Sequence, residues 1–339
     1  MNTRDCFTNI LIIKPGAIGD LLLMTPVIRA LKAKYPEALV SLLVGSSKTA
    51  GLFKYHANVH ETIVYDKKNE QRSFPALIKL WKELRRKNYD LVINFQRSNL
   101  RTWFLASAAL PCRVLVYHKT RNRSVHAVVN YLETLAPLGI PATDQHLELT
   151  PGADDRAFAR QILSTIKNSG KPLVALNPGA SHQVNRWSTE HFAALADMLA
   201  QRIDARVIIV GGPEEVLLAE EIASKARSKP LLLAGKADLM QLGALLEQCD
   251  LLVSGDTGPL HLGTAVGIPV VALFGAADPA RTGPLGEGHI VIQSEKVACV
   301  PCRSRTCSNS RHLECMETIS PDAVFNAVTT LLLKGRQVK

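Results

Sequence analysis

No run of apolar residues in this 339-residue chain reaches the ~18 needed to cross a bilayer. No internal repeat or low-complexity segment is visible, so the chain does not read as a solenoid or a disordered tail. Two phosphate-binding signatures are also missing, since there is no Gly-x-Gly-x-x-Gly and no Gly-Lys-Ser/Thr. Residues 1–9 carry one basic and one acidic residue, and the apolar stretch after them runs straight into Lys14-Pro15-Gly16. With no small-residue cleavage site, that is not the pattern of a secretory leader. A cytosolic location is therefore expected, and in a reducing compartment the seven cysteines are not expected to pair.

What is present is ordinary in bulk: 47% hydrophobic and 21% charged residues, as in a globular protein. The length favours two domains over one core. The net charge of +10 is unevenly spread. Residues 1–150 hold 21 Lys+Arg against 11 Asp+Glu, and residues 151–339 hold 19 against 19, so the whole excess lies in the first half. A basic half attracts nucleic acid, an anionic membrane surface or a phosphorylated small substrate, unless it is only a solvated surface.

Short apolar runs alternate with helical patterns almost throughout. In the first half the expected strands are residues 10–14, 39–44, 62–65, 91–95 and 113–116, with helices such as 21–35, 76–86 and 100–109 between them. The strands are nearly all apolar, as strands buried on both faces should be. Pro151-Gly152 and a polar helix over residues 154–167 mark a boundary. The pattern restarts with strands at 172–177, 206–210, 231–234, 251–254 and 270–274. This alternation predicts an α/β protein of two similar lobes, each a doubly wound parallel sheet. Ligands bind such sheets outside the carboxyl ends of the strands, so a cleft between the lobes is the expected site.

Five segments can carry chemistry. Lys14-Pro15-Gly16-Ala17-Ile18-Gly19-Asp20 follows the first strand and opens a helix. Asp20 can act as a general base on a hydroxyl; its plainer role is to cap the helix. Asn177-Pro178-Gly179-Ala180-Ser181 leads to Asn185-Arg186-Trp187-Ser188, where Arg186 can meet a diphosphate and Trp187 is expected to pack. In Val210-Gly211-Gly212-Pro213-Glu214-Glu215 the carboxylate of Glu214 suits ribose hydroxyls or the start of a helix equally well. Ser254-Gly255-Asp256-Thr257-Gly258-Pro259-Leu260-His261 follows a buried strand and opens a helix, placing backbone N–H groups where phosphate oxygens can bind. His261 lies one turn further along and is either a ligand contact or a core residue. Finally, Cys299, Cys302, Cys307 and Cys315 are four thiols in one short stretch. They can hold a structural metal tetrahedrally or pack without one, since only the first pair has the Cys-x2-Cys spacing.

Taken in order, these segments resemble glycosyltransferase family 9, the bacterial heptosyltransferases of lipopolysaccharide inner-core synthesis. The likeness is carried by Ile12-Ile13-Lys14 with Gly19-Asp20, by Asn177-Pro178-Gly179-Ala180 with Arg186-Trp187, and by Gly255 through His261. Cys299-Val300-Pro301-Cys302 through Cys315-Met316 adds a likeness to the branch that attaches the second heptose. The resemblance implies a GT-B architecture of two Rossmann-like lobes: residues 1–152 for the acceptor, a linker helix over 153–171, and 172–320 for the nucleotide-sugar. A C-terminal helix over 321–339 is expected to return toward the first lobe. It further implies inverting transfer from ADP-heptose with no cofactor required for catalysis. Asp20 is then the base, and Asp256, Thr257, Gly258 and His261 are donor contacts, with Arg186 and Glu214 beside them. The acceptor would be a phosphorylated lipid A-core at the cytoplasmic face of the inner membrane, with Arg97, Arg101, Arg113, Lys119, Arg121 and Arg123 as candidates to meet it, and no nucleic acid as partner. One departure is that the family often has Lys two residues before the Trp, where this chain has Asn185. The competing expectations are a nucleotide-sugar epimerase or another nucleotide-sugar-dependent glycosyltransferase of the same fold, and a non-catalytic nucleotide-sugar binder or a member acting on a protein acceptor.

Overall fold

The computed structural model describes residues 6–67, 69–96, 99–118, 124–167 and 170–337. Its contacts divide the chain into two compact units, residues 1–148 and 149–339.

In the first unit five parallel strands, β1 (Asn9–Ile13), β2 (Leu39–Val44), β3 (Glu61–Val64), β4 (Leu91–Asn94) and β5 (Arg113–Val116), line up in the order β3-β2-β1-β4-β5. Ile10 to Ile13 have no exposed surface, so β1 is covered on both faces, and this is why it reads as an unbroken apolar run. Leu11, Ile13, Leu43 and Val92 face the helices Phe74–Arg86 and Leu100–Ser107 through Leu77, Leu80, Leu84 and Leu105. The helix Thr25–Lys34 buries Val27, Ile28 and Leu31 and packs beside the helix Ala127–Glu133.

The helix expected over residues 21–35 is two helices, Ile18–Leu22 and Thr25–Lys34. The reason is Pro26, which has no N–H and fits only the first turn of a helix, so a new helix begins just ahead of it. The break matters because it leaves a short helix, with Asp20 on it, directly after β1.

The second unit holds six parallel strands: β6 (Leu173–Asn177), β7 (Arg206–Ile209), β8 (Leu231–Leu232), β9 (Leu251–Gly255), β10 (Val270–Phe274) and β11 (His289–Gln293). Their order is β11-β10-β9-β6-β7-β8. The helix Ala153–Lys167 belongs to this unit, where it packs along Leu239–Glu247, and Arg156 grips Glu247 through two bonds of 2.7 and 2.8 Å. On the other face of the sheet the C-terminal helix Pro321–Gln337 sends Val324, Phe325, Val328 and Leu331 into the core. β11 is absent from the expected strands. It is an edge strand in which no residue is fully buried, so it lacks the apolar signature of its neighbours.

Trp187 is 2% exposed and sits in this core, its ring edge-on to Phe192 and its indole N–H donating to the Ile319 carbonyl at 2.9 Å. It is a packing residue. Trp187→Ala leaves a large cavity and an unpaired carbonyl, and should cost the unit about 3–5 kcal/mol. Urea unfolding followed by circular dichroism measures this; a loss below about 1 kcal/mol would contradict the packing role.

Candidate functional site

Both sheets have one place where the strand order reverses, between β1 and β4 in the first and between β6 and β9 in the second. Loops diverge there and leave a crevice at the carboxyl ends of the strands. The segments after β1, β6 and β9 are those singled out by sequence.

In the first unit the loop after β1 lies against the end of β2. A Cβ at Gly45 would come within 2.4 Å of the Pro15 carbonyl oxygen, so only glycine allows the approach. Gly16 makes similar room, since a Cβ there would stand 3.0 Å from Asp20 Oδ2 and 3.1 Å from Lys14 Nζ. Into that space the Lys14 ammonium reaches Asp20 Oδ2 at 3.2 Å. The other carboxylate oxygen, Oδ1, accepts a 2.9 Å hydrogen bond from the Tyr131 hydroxyl. Tyr131 is in turn set by edge-on contacts with Phe95 and Tyr117, and the Lys14 ammonium lies 5.1 Å from its ring centre.

Asp20 is therefore not a helix cap. The N-cap of its helix is Ala17, without a side-chain cap bond, and the carboxylate turns to Lys14 and Tyr131 instead. Lys14 is nearly buried while the Asp20 side chain is 42% exposed, so the carboxylate is held from behind and open in front. Asn94, at the end of β4 on the other side of the switch point, is fully buried. Its Oδ1 accepts from the Gln96 N–H at 2.8 Å, and its Nδ2 has no partner among the described residues.

In the second unit Asn177 ends β6 with 1% exposure, and its amide donates to Ser254 Oγ at 2.9 Å and Thr257 Oγ1 at 3.0 Å. These bonds join the two strands that flank the switch point and fix the turn Gly255–Thr257. Thr257 is the N-cap of the helix Gly258–Ala265, but its side chain makes no cap bond. Thr257 therefore does not cap the N–H groups that open that helix, and the positive end of the helix dipole favours an anion. His261 is 4% exposed, inside the same helix. Asp256 is half-buried on the turn.

Arg186 follows a short turn over Gln183–Asn185 and is half-buried. Its Nε is buried without a partner among the described residues. The neighbouring Asn185 accepts from the Ala277 N–H at 3.2 Å, and its carbonyl oxygen is 3.1 Å from where a Gly255 Cβ would be. Asn185 therefore ties the segment bearing Arg186 to the loop after β10 and to the Gly255 turn. Glu214 is exposed after β7. Its neighbour Glu215 does the structural work there, accepting from the Gly212 N–H at 2.7 Å and lying against Gly179.

Of the expected acceptor cations, Arg101 is exposed at the start of its helix, with its guanidinium 3.5 and 3.4 Å from the carbonyls of Gln71 and Arg72. Arg113 is committed to the Pro137 carbonyl at 2.7 Å. Arg97, Lys119, Arg121 and Arg123 lie outside the described residues. The four cysteines Cys299, Cys302, Cys307 and Cys315 are free thiols lining one cavity of about 440 Å³. Burial, and then the charge of the other three, push the Cys315 thiol up. Among the described residues no three His, Cys, Asp or Glu side chains are placed to hold a metal ion.

Tyr131 as a partner of Asp20 is not legible in the sequence, nor are Asn94 or the bridging roles of Asn177 and Asn185. Nothing local marks them; Asn94 and Asn177 share only their place at the last residue of a switch-point strand.

The chain is 27% identical over 290 residues to the lipopolysaccharide core heptosyltransferase OpsX of Haemophilus influenzae, covering 80% of each chain. It superimposes on a glycosyltransferase family 9 structure from Veillonella parvula with a TM-score of 0.86 and 26% identity, over 98% of this chain and 99% of that one. It also shares the fold of the E. coli heptosyltransferase WaaC solved with ADP-2-deoxy-2-fluoro heptose, at a TM-score of 0.69 and 20% identity over 95% and 99% of the two chains. The model of glycosyltransferase family 9 (heptosyltransferase) matches residues 77–312. With its two Rossmann-like parallel sheets of GT-B type and its site segments at both switch points, this chain belongs to glycosyltransferase family 9, and it is a glycosyltransferase.

Proposed function

We propose that the protein transfers heptose from ADP-heptose to the inner core of lipopolysaccharide, with inversion at the anomeric carbon and Asp20 as the general base. The observation that carries this reading is the Asp20 carboxylate, fixed by Lys14 and Tyr131 yet open on one side. A base must be held in one orientation and remain accessible to the proton it takes. The donor is supported by the family and by the nucleotide-sugar analogue named with the WaaC structure.

The chemistry assigns the two units separate tasks. The acceptor hydroxyl oxygen attacks the anomeric carbon from the face opposite the diphosphate, and its proton passes to Asp20. The bond from that carbon to the phosphate oxygen breaks through an oxocarbenium-like transition state, and ADP leaves with the electron pair. Charge growing on the leaving oxygen is met by Arg186 and by the N–H groups that open the helix at Gly258. Thr257, Asp256 and His261 line that turn, and Glu214 is available to ribose hydroxyls. The acceptor is a phosphorylated lipid A-core at the cytoplasmic face of the inner membrane, with Arg101 among the cations that meet it.

Two measurements test this. Purified protein mixed with ADP-heptose and a set of truncated core acceptors should release ADP only when one acceptor is present. ADP release with no acceptor, or turnover only of a different nucleotide-sugar, would overturn it. Tyr131 acts through Asp20 as a positioning residue, so Tyr131→Phe should lower kcat about tenfold and leave both KM values and the melting temperature unchanged. A parallel rise in KM, or loss of the fold, would instead make Tyr131 a structural or binding residue.

A further inference from the structure

The helices Phe74–Arg86 and Leu100–Ser107 pack side by side over one face of the first sheet. Away from the sheet they share an aromatic seam. The Trp81 ring stacks on Phe104, Phe104 lies 6.1 Å from Phe74, and the Trp81 indole donates to Ser107 Oγ at 3.1 Å. Phe74 is 65% exposed, Leu100 85% and Trp103 37%.

Single exposed apolar residues are common on soluble proteins, but Phe74 and Leu100, each well over half exposed at the start of adjoining helices, with Trp103 one turn beyond Leu100, mark an interaction surface. The two helices are basic. Arg101, next to Leu100, sits beside the carbonyls of Gln71 and Arg72, and Arg85, in the last turn of its helix, reaches the Ala108 carbonyl at 3.1 Å. The helix Phe74–Arg86 carries Lys79, Lys82, Arg85 and Arg86 against Glu83 alone. The first 150 residues hold the chain's entire positive excess.

From this pattern we infer that the surface formed by Phe74, Leu100 and Trp103 docks on an anionic lipid bilayer, the apolar side chains entering the headgroup boundary while guanidinium and ammonium groups of the two helices meet acidic headgroups. This rests on the reading above, in which the acceptor is carried by a membrane, and it names the surface that brings the enzyme there. Charge complementarity selects the occupant. A second copy of the chain would set these basic helices against themselves, and like charges across an interface oppose association. An anionic bilayer satisfies both the apolar side chains and the basic ones, as it does for interfacial helices with Trp, Phe and Leu beside Lys and Arg.

The test is cosedimentation of the full chain with vesicles of phosphatidylcholine alone or mixed with phosphatidylglycerol. Binding should require phosphatidylglycerol and weaken in high salt. The double variant Phe74→Glu, Leu100→Glu should bind the mixed vesicles about tenfold less, and should keep the wild-type melting temperature and the wild-type rate on a water-soluble truncated acceptor. Tryptophan emission should shift to the blue on adding mixed vesicles, and Trp103→Phe should remove most of the shift. The inference fails if wild-type protein ignores the mixed vesicles, or if the double variant binds them as well as wild type. It also fails if wild type is a dimer that the double variant turns into monomer, since the patch would then join two copies. Absent transfer on every acceptor with vesicle binding intact would count against the proposed reaction and not against this surface.

Discussion

Asp20→Asn lowers the transfer rate by about 10²- to 10⁴-fold, the range over which positioned general bases contribute. The substitution keeps size and shape, and the new side-chain oxygen still accepts from the Tyr131 hydroxyl that now bonds Oδ1 at 2.9 Å. What disappears is the capacity to take a proton, together with the ion pair to Lys14. The pair joins a nearly buried Lys14 to a carboxylate that is 42% exposed, so the variant also loses some stability, and its melting temperature is read beside its rate. Donor binding should also hold, since the candidate donor groups are on the other unit. The measurement is single-turnover transfer beside ADP affinity by calorimetry. A rate for Asp20→Asn within about threefold of wild type would remove Asp20 from the base role. Loss of ADP affinity in proportion to the rate would mean that the carboxylate serves binding instead.

Arg186→Ala should lower kcat/KM for the donor by about 10²-fold, as loss of a group aimed at developing negative charge does. The reason lies in an unmet valence: Arg186 Nε is buried with no partner among the described residues, a cost that a bound anion would relieve. The segment is held for this task by Asn185, whose side chain accepts from Ala277 N–H. Asn185 is thus a tether, and Arg186 is the cation of the segment. Arg186→Lys should restore only part of the activity, because an ammonium cannot make the paired contacts of a guanidinium. ADP titration and initial rates on each variant decide the matter. Unchanged ADP affinity and unchanged kcat/KM in Arg186→Ala would place the diphosphate elsewhere.

Much of this protein is legible before any folding is considered. Buried parallel strands are apolar on both faces, so β2 and β10 can be read from their residues to the very ends. The alternation of strand and helix permits little besides two doubly wound sheets, and the motifs stand where strands end, so they point to the switch points. Where a strand is half-exposed the signal fades, and β11 with its 41% exposed Val291 carries too little of it to be read. Proline placement decided the split of the helix after β1, a local rule that outranks the apolar periodicity running through it.

The choice between alternative roles was not local. Asp20 as cap and Asp20 as base have the same sequence around them; the cap is set aside by Lys14 and by a hydroxyl from Tyr131, 111 residues away. Asn177 meets Ser254 and Thr257 across 77 and 80 residues, Asn185 meets Ala277 across 92, and Trp187 meets Ile319 across 132. Likewise the apolar patch over Phe74 and Leu100 exists only because two helices separated in sequence lie side by side. Periodicity and turn chemistry act over a few residues and so set the elements and the places of the loops. Which carboxylate is held, which amide bridges two strands and which guanidinium nitrogen has no partner among the described residues depend on strand order, and only the folded sheets bring such groups within hydrogen-bonding distance.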